Sequence, residues 1–249
     1  QKMVTYLLKK SYRHKDLKEI KFNDLWNSYG IFTTMRVVGK NNKILFFAYH
    51  IDNLIKSLKV YKLNRDDLKK NILELINKNL SYKKYYDHLL RVAVNSKMIS
   101  ISLRKRFKPK LNFKLKLLNY KRIDPIHKNL KYKKILSILK KLDNREYDIA
   151  LYKNNKFLET GTSNLLFVRN NNFFSPKKNY YAGTTLRFFK SKIKIIFKDI
   201  FLEDVKNYDE IILVGSGKTV VSVSQIKELK WKRKSLSNFK KLLTIYKKF

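Results

Sequence analysis

The chain has 249 residues, of which 44% are hydrophobic and 14% aromatic, enough to fill one large domain or two modest ones with a proper core. It has no cysteine and four scattered histidines (His14, His50, His88 and His127), which excludes disulfides and thiolate metal sites, and no metal centre is expected. Lysine and arginine number 58 against 19 acidic residues, a formal charge of +39; a charge gathered in one patch would suggest nucleic acid or an anionic membrane, but here it is spread along the chain.

The opening, QKMVTYLLKKSYRHK, has an apolar stretch much too short for a signal peptide. Gln1 in place of methionine points to a trimmed N-terminus and an incomplete first strand. Residues 31–38 (IFTTMRVV) and 43–48 (KILFFA) are β-rich runs around GKNN, the pattern of a hairpin. In HIDNLIKSLKVYKL the residues Ile51, Leu54, Ile55 and Leu58 recur at helical spacing, and a second amphipathic helix is predicted over 65–80. Strands are expected at 89–95, 98–104 and 113–120. After Pro125 the texture changes to a lysine-rich helix at 130–142, strands at 147–152 and 163–168, and a helix at 184–197. Strands at 209–214 and 219–223 and a terminal helix from 235 complete the chain. No apolar run approaches the roughly 20 residues of a membrane span, so a soluble cytoplasmic protein without a membrane partner is expected. The lysines occupy nearly every segment beside many asparagines and few alanines, as AT-rich coding drift produces at exposed positions. A nucleic-acid partner is therefore not expected, with 104–110 (RKRFKPK) and 230–234 (KWKRK) the clusters that depart from an even spread.

Several ordered fragments across residues 24–226 carry a family likeness. YGIFTTMRV resembles the early strand of class IV pyridoxal-phosphate enzymes, and the paired Thr33 and Thr34 before Met35 and Arg36 look more like the 4-amino-4-deoxychorismate lyases than the branched-chain transaminases. HIDNLIKSLKVYKL resembles the family's histidine-led helix, and LETGTSNLLFV its glutamate-bearing strand. The resemblance implies fold type IV, as in D-amino acid aminotransferase: an α+β or α/β protein of two domains. An N-terminal α+β domain would cover 1–120, a connection 121–129 would carry the catalytic lysine at its end, and a C-terminal α/β domain would cover 130–249.

The resemblance also assigns roles. Lys128, in HKNLKY, stands where the family's Schiff-base lysine sits, a position that needs an amine on a fixed element, partly desolvated. Glu159 resembles the carboxylate that keeps the pyridine nitrogen protonated, which makes the ring a better electron sink. Tyr132 is placed near the cofactor's phenolic oxygen. The phosphate of pyridoxal 5'-phosphate is expected at Thr184 and Thr185, which follow Gly183 at a helix start, and at Gly215 and Ser216. Asn164 reads as a structural turn residue. Apart from the resemblance, Thr34, Arg36 and Arg91 are expected to meet the substrate if the enzyme is a lyase, the two arginines at its carboxylates.

Two features limit or redirect these assignments. The family's phosphate-binding arginine on the early helix is replaced by Asn53, with Lys56 nearby as a cation lacking the bidentate fork. The stretch after the third strand is reduced to NSK at 95–97, which leaves Arg104 or Arg106 for a missing substrate arginine. The string VGSGKT looks like the end of a P-loop, but the required earlier glycine is Ile212, and TVVSVSQI reads as a strand where a helix is needed. The reading is a lyase that forms 4-aminobenzoate and pyruvate in folate biosynthesis, acting as a homodimer. The alternatives are an aminotransferase for D-amino or branched-chain amino acids, a cofactor-free relative, and a basic nucleic-acid-binding protein.

Overall fold

The computed structural model describes residues 5–81 and 84–248, so the chain's opening at Gln1 lies outside the described residues. The chain divides into two compact units, Gln1–Arg106 with His127–Lys133, and Phe107–Ile126 with Lys134–Phe249.

The first unit contains β1 (Tyr6–Arg13), β2 (Glu19–Ile20), β3 (Gly30–Gly39), β4 (Lys43–Ile44), α1 (Phe47–Val60), α2 (Leu68–Asn79), β5 (Tyr86–Asn95) and β6 (Met98–Lys105). Its strands form an antiparallel sheet in the order β2-β1-β6-β5-β3-β4. Alternation decides which side of this sheet is apolar. Met35 and Val37 of β3, Leu90 and Val92 of β5, and Ile99 and Ile101 of β6 pack with Ile51, Leu54 and Leu58 of α1 and Ile72 and Leu75 of α2. Full burial of each such side chain is worth roughly 1.5–3 kcal/mol. The expected hairpin forms, but its second strand stops at Ile44 where 43–48 was predicted. Phe46 takes a left-handed conformation (φ 56°) and the chain turns directly into α1.

The second unit contains β7 (Phe113–Asn119), most of α3 (Lys133–Leu139), β8 (Tyr147–Lys153), β9 (Lys156–Thr160), β10 (Asn164–Arg169), β11 (Asn172–Pro176), α4 (Thr184–Lys190), β12 (Ile195–Lys198), β13 (Glu210–Gly215), β14 (Thr219–Ile226), β15 (Trp231–Lys232) and α5 (Ser237–Lys247). Nine strands form a mixed sheet, β12-β11-β10-β13-β14-β7-β8-β9, with β15 beside β14. An aromatic chain of Phe157, Phe167 and Tyr208, with ring centroids 5.0 and 5.2 Å apart, fills its core.

Four expectations change here. The predicted boundary at 120 gives way to one after Arg106, because β7 pairs in parallel with both β14 and β8 and so belongs to the second sheet. Residues 127–133, divided in expectation between connection and second domain, belong to the first unit through backbone bonds to β3. The helix expected over 184–197 ends at Lys190, and residues 195–198 instead form a strand parallel to β11. The 130–142 helix is likewise shortened to Lys133–Leu139. Among the described residues no helix is long and apolar enough to cross a membrane, and no cluster of potential ligands could hold a metal ion.

Candidate active site

In the first unit the site begins with a close backbone approach. The amide of Phe32 donates to the Lys128 carbonyl at 2.9 Å, and that of Leu130 to the Gly30 carbonyl at 2.9 Å, so residues 128–130 lie along β3 as an added strand segment. Gly30 permits this, since a Cβ there would stand 2.7 Å from Leu130 Cδ1 and 2.3 Å from the Val94 carbonyl oxygen. Lys128 is thereby held on a fixed element and is half-buried, with Nζ 5.2 Å from the centroid of the Phe32 ring. His50, near the start of α1, has its Nδ1 2.8 Å from the Thr33 hydroxyl oxygen. Burial first, and the positive charge of Lys128 second, push the His50 imidazole down to about 3, so it is neutral beside the amine.

Thr34, Arg36 and Arg91 lie together on the other side of the sheet. Thr34 and Arg91 are direct cross-strand partners, and Phe32 and Arg36 flank Thr34 on the same side of β3. The Arg91 guanidinium stacks 3.7 Å from the Trp26 ring and donates to the Asp24 carbonyl at 2.8 Å. Burial pushes it down to about 10, which leaves it charged at neutral pH. Arg36 pairs with Asp87 at 3.1 Å, and Arg106 reaches the other oxygen of the same carboxylate at 3.4 Å. Burial also lowers Arg104. Tyr132 is buried against Phe32 and Trp26, with ring centroids 5.4 and 5.9 Å away. Asn53 is half-buried on α1 and Lys56 is exposed.

The second unit assembles its part around the turn that joins β9 to β10. Glu159, at the end of β9, is 4% exposed and is gripped by Arg122, whose Nε donates to Oε1 at 2.6 Å and whose Nη2 donates to Oε2 at 3.3 Å. The Tyr181 amide donates to the same carboxylate at 3.2 Å. At the start of β10 the Asn164 side chain donates to the Tyr181 carbonyl at 2.7 Å and accepts from the Gly183 amide at 3.0 Å. Asn164 is therefore the turn residue expected, and its work is to place the start of α4. Beyond Gly183, Thr184 and Thr185 are 4% and 0% exposed, and among the described residues neither hydroxyl has a hydrogen-bond partner. Two buried hydroxyls without partners at a helix start are costly unless an acceptor belongs there, and an anion such as a phosphate would supply one. Asn164 pairs in register with Val214, so the start of α4 and the turn after Gly215, with the half-buried Ser216, lie at one end of the sheet. The strand that follows Lys218 is β14, as the rejection of a P-loop requires.

Within the two units the expected residues thus fall into groups: Lys128 and Tyr132 around Phe32, Thr34 with Arg36 and Arg91, and Glu159, Thr184, Thr185, Gly215 and Ser216 around the β9–β10 turn. Sequence reasoning missed Arg122, Tyr181 and His127. The signal for Arg122 was its type, an arginine in a lysine-rich segment six residues before Lys128. His127 Nδ1 lies 3.0 Å from the Ser57 hydroxyl on α1.

The comparisons bear on the whole chain. The solved structure of a branched-chain aminotransferase from Thermoproteus uzoniensis with norvaline superposes with a TM-score of 0.78 at 16% identity, covering 96% of this chain and 93% of that one. An aminotransferase from Brucella abortus bound to pyridoxal phosphate gives 0.74 at 16% identity, over 96% and 98%. A Legionella pneumophila protein assigned as a 4-amino-4-deoxychorismate lyase gives 0.68 at 15%, over 88% and 90%. At these identities the likeness establishes the fold, the fold type IV of pyridoxal-phosphate enzymes. The sequence matches no curated relative. The sequence profile of the amino-transferase class IV family matches residues 30–226, from the first residue of β3 to the last of β14 and so through every group of site residues described above, and the chain belongs to that family.

Proposed function

We propose that the protein is a pyridoxal-phosphate-dependent lyase that converts 4-amino-4-deoxychorismate to 4-aminobenzoate and pyruvate, working as a homodimer. Lys128 would hold the cofactor's aldehyde carbon, Glu159 its pyridine nitrogen, and Thr184, Thr185 and Ser216 its phosphate, with Tyr132 toward the phenolic oxygen. When bound, the cofactor supplies a sink for the electrons left on the substrate carbon after its proton departs. The Arg122 clamp fixes the Glu159 carboxylate in one orientation. Lys128 Nζ would take the proton from the ring carbon that carries the substrate's amino group, and would return one to the departing enolpyruvyl group as the C–O bond breaks. Aromatisation of the ring makes that step strongly downhill, so orientation is the protein's main task.

The observation that carries the lyase reading is the arginine-bearing side of β3 and β5. Arg36 and Arg106 share the Asp87 carboxylate and Arg91 has Asp24 beside it, so three arginines stand against two carboxylates here. The surplus positive charge suits a substrate with two carboxylates, and Phe32, adjoining both this side and Lys128, suits a flat ring. One observation favours an aminotransferase for an apolar amino acid: the cluster of Trp26, Phe32 and Tyr132 offers an apolar wall.

Product analysis separates the two. Purified protein given pyridoxal phosphate and 4-amino-4-deoxychorismate should release 4-aminobenzoate and pyruvate in equal amounts without any amino acceptor. It should also have a visible cofactor band that borohydride abolishes and that Lys128→Ala lacks. Keto-acid formation that strictly needs 2-oxoglutarate, with no 4-aminobenzoate, would overturn the lyase in favour of the aminotransferase.

A further inference from the structure

The lysine of the P-loop lookalike has another use. β13 and β14 are joined by Ser216, Gly217 and Lys218, closed by the Gly215 and Thr219 pair. A lysine in such a turn ordinarily extends into water. Lys218 instead turns inward, its side chain 11% exposed, to Asp148, which is wholly buried, with Nζ 3.2 Å from Oδ2. The same Nζ donates to the Thr162 hydroxyl at 2.8 Å, and Thr162 and Thr160 donate to Asp148 Oδ2 at 2.6 and 2.9 Å. The Ile149 amide donates to the other carboxylate oxygen at 2.8 Å.

Two further features mark the turn as rigid. Thr219, a β-branched residue, is held at φ 64°, a conformation that persists only where the surroundings over-determine it. Gly215 lets the turn close onto the β9–β10 connection, since a Cβ there would stand 2.9 Å from Ser163 Oγ. That connection, residues 160–164, therefore does three things. It follows Glu159, it places Gly183 and the unpartnered hydroxyls of α4 through Asn164, and it braces the Ser216 turn through Thr162 and Asp148. A buried ion pair contributes little net stability compared with apolar packing, and its attested use is to fix one arrangement.

We propose that Lys218 is a positioning residue, whose inward pair with Asp148 holds the Ser216–Lys218 turn in the shape that receives the 5'-phosphate beside Thr184 and Thr185. This rests on the cofactor reading above and adds a role that touches neither cofactor nor substrate. Lys218 supplies no charge to the phosphate; its charge is spent on Asp148, and the turn's own groups meet the anion.

The test compares pyridoxal phosphate with pyridoxal, both followed by the visible band they form on Lys128. The wild type should bind the phosphorylated form far more tightly. Lys218→Met with Asp148→Asn removes both charges together and so avoids a lone buried carboxylate. In this double variant the preference for pyridoxal phosphate should fall by about tenfold or more while the affinity for pyridoxal changes little. Thr162→Val, which keeps the ion pair, should give a smaller fall and serves if the double variant does not fold. A purely structural role would lower the melting temperature and weaken both ligands alike. An unchanged preference in whichever of these variants folds overturns the proposal. A wild type that forms no band with either aldehyde, or binds both equally, overturns the cofactor or phosphate assignment itself, and the proposal with it.

Discussion

Two arginine and carboxylate pairs in the second unit have the same 2.6 Å closest approach. Arg122 and Glu159 are 1% and 6% exposed, whereas Arg145 and Asp143 are 30% and 38% exposed. Arg145 holds the Asp143 carboxyl down to about 2, yet both remain in reach of water, where such pairs contribute little. The first pair is sealed between β9 and the segment before Lys128, and has no water to fall back on. Equal distance therefore means unequal consequence, and a chain with 58 basic residues must be read by where each charge points.

The most direct way to break this comparison is Arg122→Met. It leaves the Glu159 carboxylate buried without its clamp and should destabilise the protein by about 3–5 kcal/mol in denaturant unfolding, with weakened cofactor binding. A loss below about 1 kcal/mol would mean that burial does not separate the two pairs.

A second effect concerns a buried group kept uncharged. His50 falls from 6.5 to about 3 on folding, so between those values the unfolded chain binds the extra proton and stability drops as pH falls. From pH 6.5 to 5 the loss should approach about 2 kcal/mol. His14 and His88 are lowered in the same direction, chiefly by burial, so His50→Gln should flatten the slope without abolishing it; an unaltered slope would contradict the assignment.

Smaller again is Glu210→Gln. The buried carboxylate accepts the Asn238 and Phe239 amides at 2.8 and 2.9 Å at the start of α5, and neutralising it should cost about 1–2 kcal/mol by thermal unfolding. Arg145→Ala closes the series with a melting temperature hardly moved; a large drop there would erase the contrast from the other side.

The parts of the fold that could be read in advance were those in which one side of an element is apolar at a regular period. β3, β5, β6, α1 and α2 alternate or repeat cleanly, because their sheet has a core on one side and arginines and threonines on the other. Elements decided by a distant partner were less legible. Residues 195–198 continue a helical pattern locally and become a strand only because β11 lies beside them. β7 reads as a strand either way, but its allegiance to the second unit depends on β14 and β8. At the candidate site, Lys128 and Glu159 were assigned through their flanking fragments. Arg122, whose importance comes from a contact 37 residues along the chain, had no local pattern to give it away.

Composition also reaches into the turns. Asn154, Asn155, Asn170 and Asn171 all take the left-handed conformation, a place where glycine is the usual occupant and asparagine the next best. The chain keeps only six glycines. If nucleotide bias has exchanged glycine for asparagine wherever backbone shape alone was at stake, those that survive are enriched for sites where volume forbids any side chain, as at Gly30 against Leu130 and Gly215 against Ser163. In a sequence of this composition, scarcity turns the smallest residue into a signpost, and a glycine census of similarly biased sequences becomes a cheap way to look for their candidate sites.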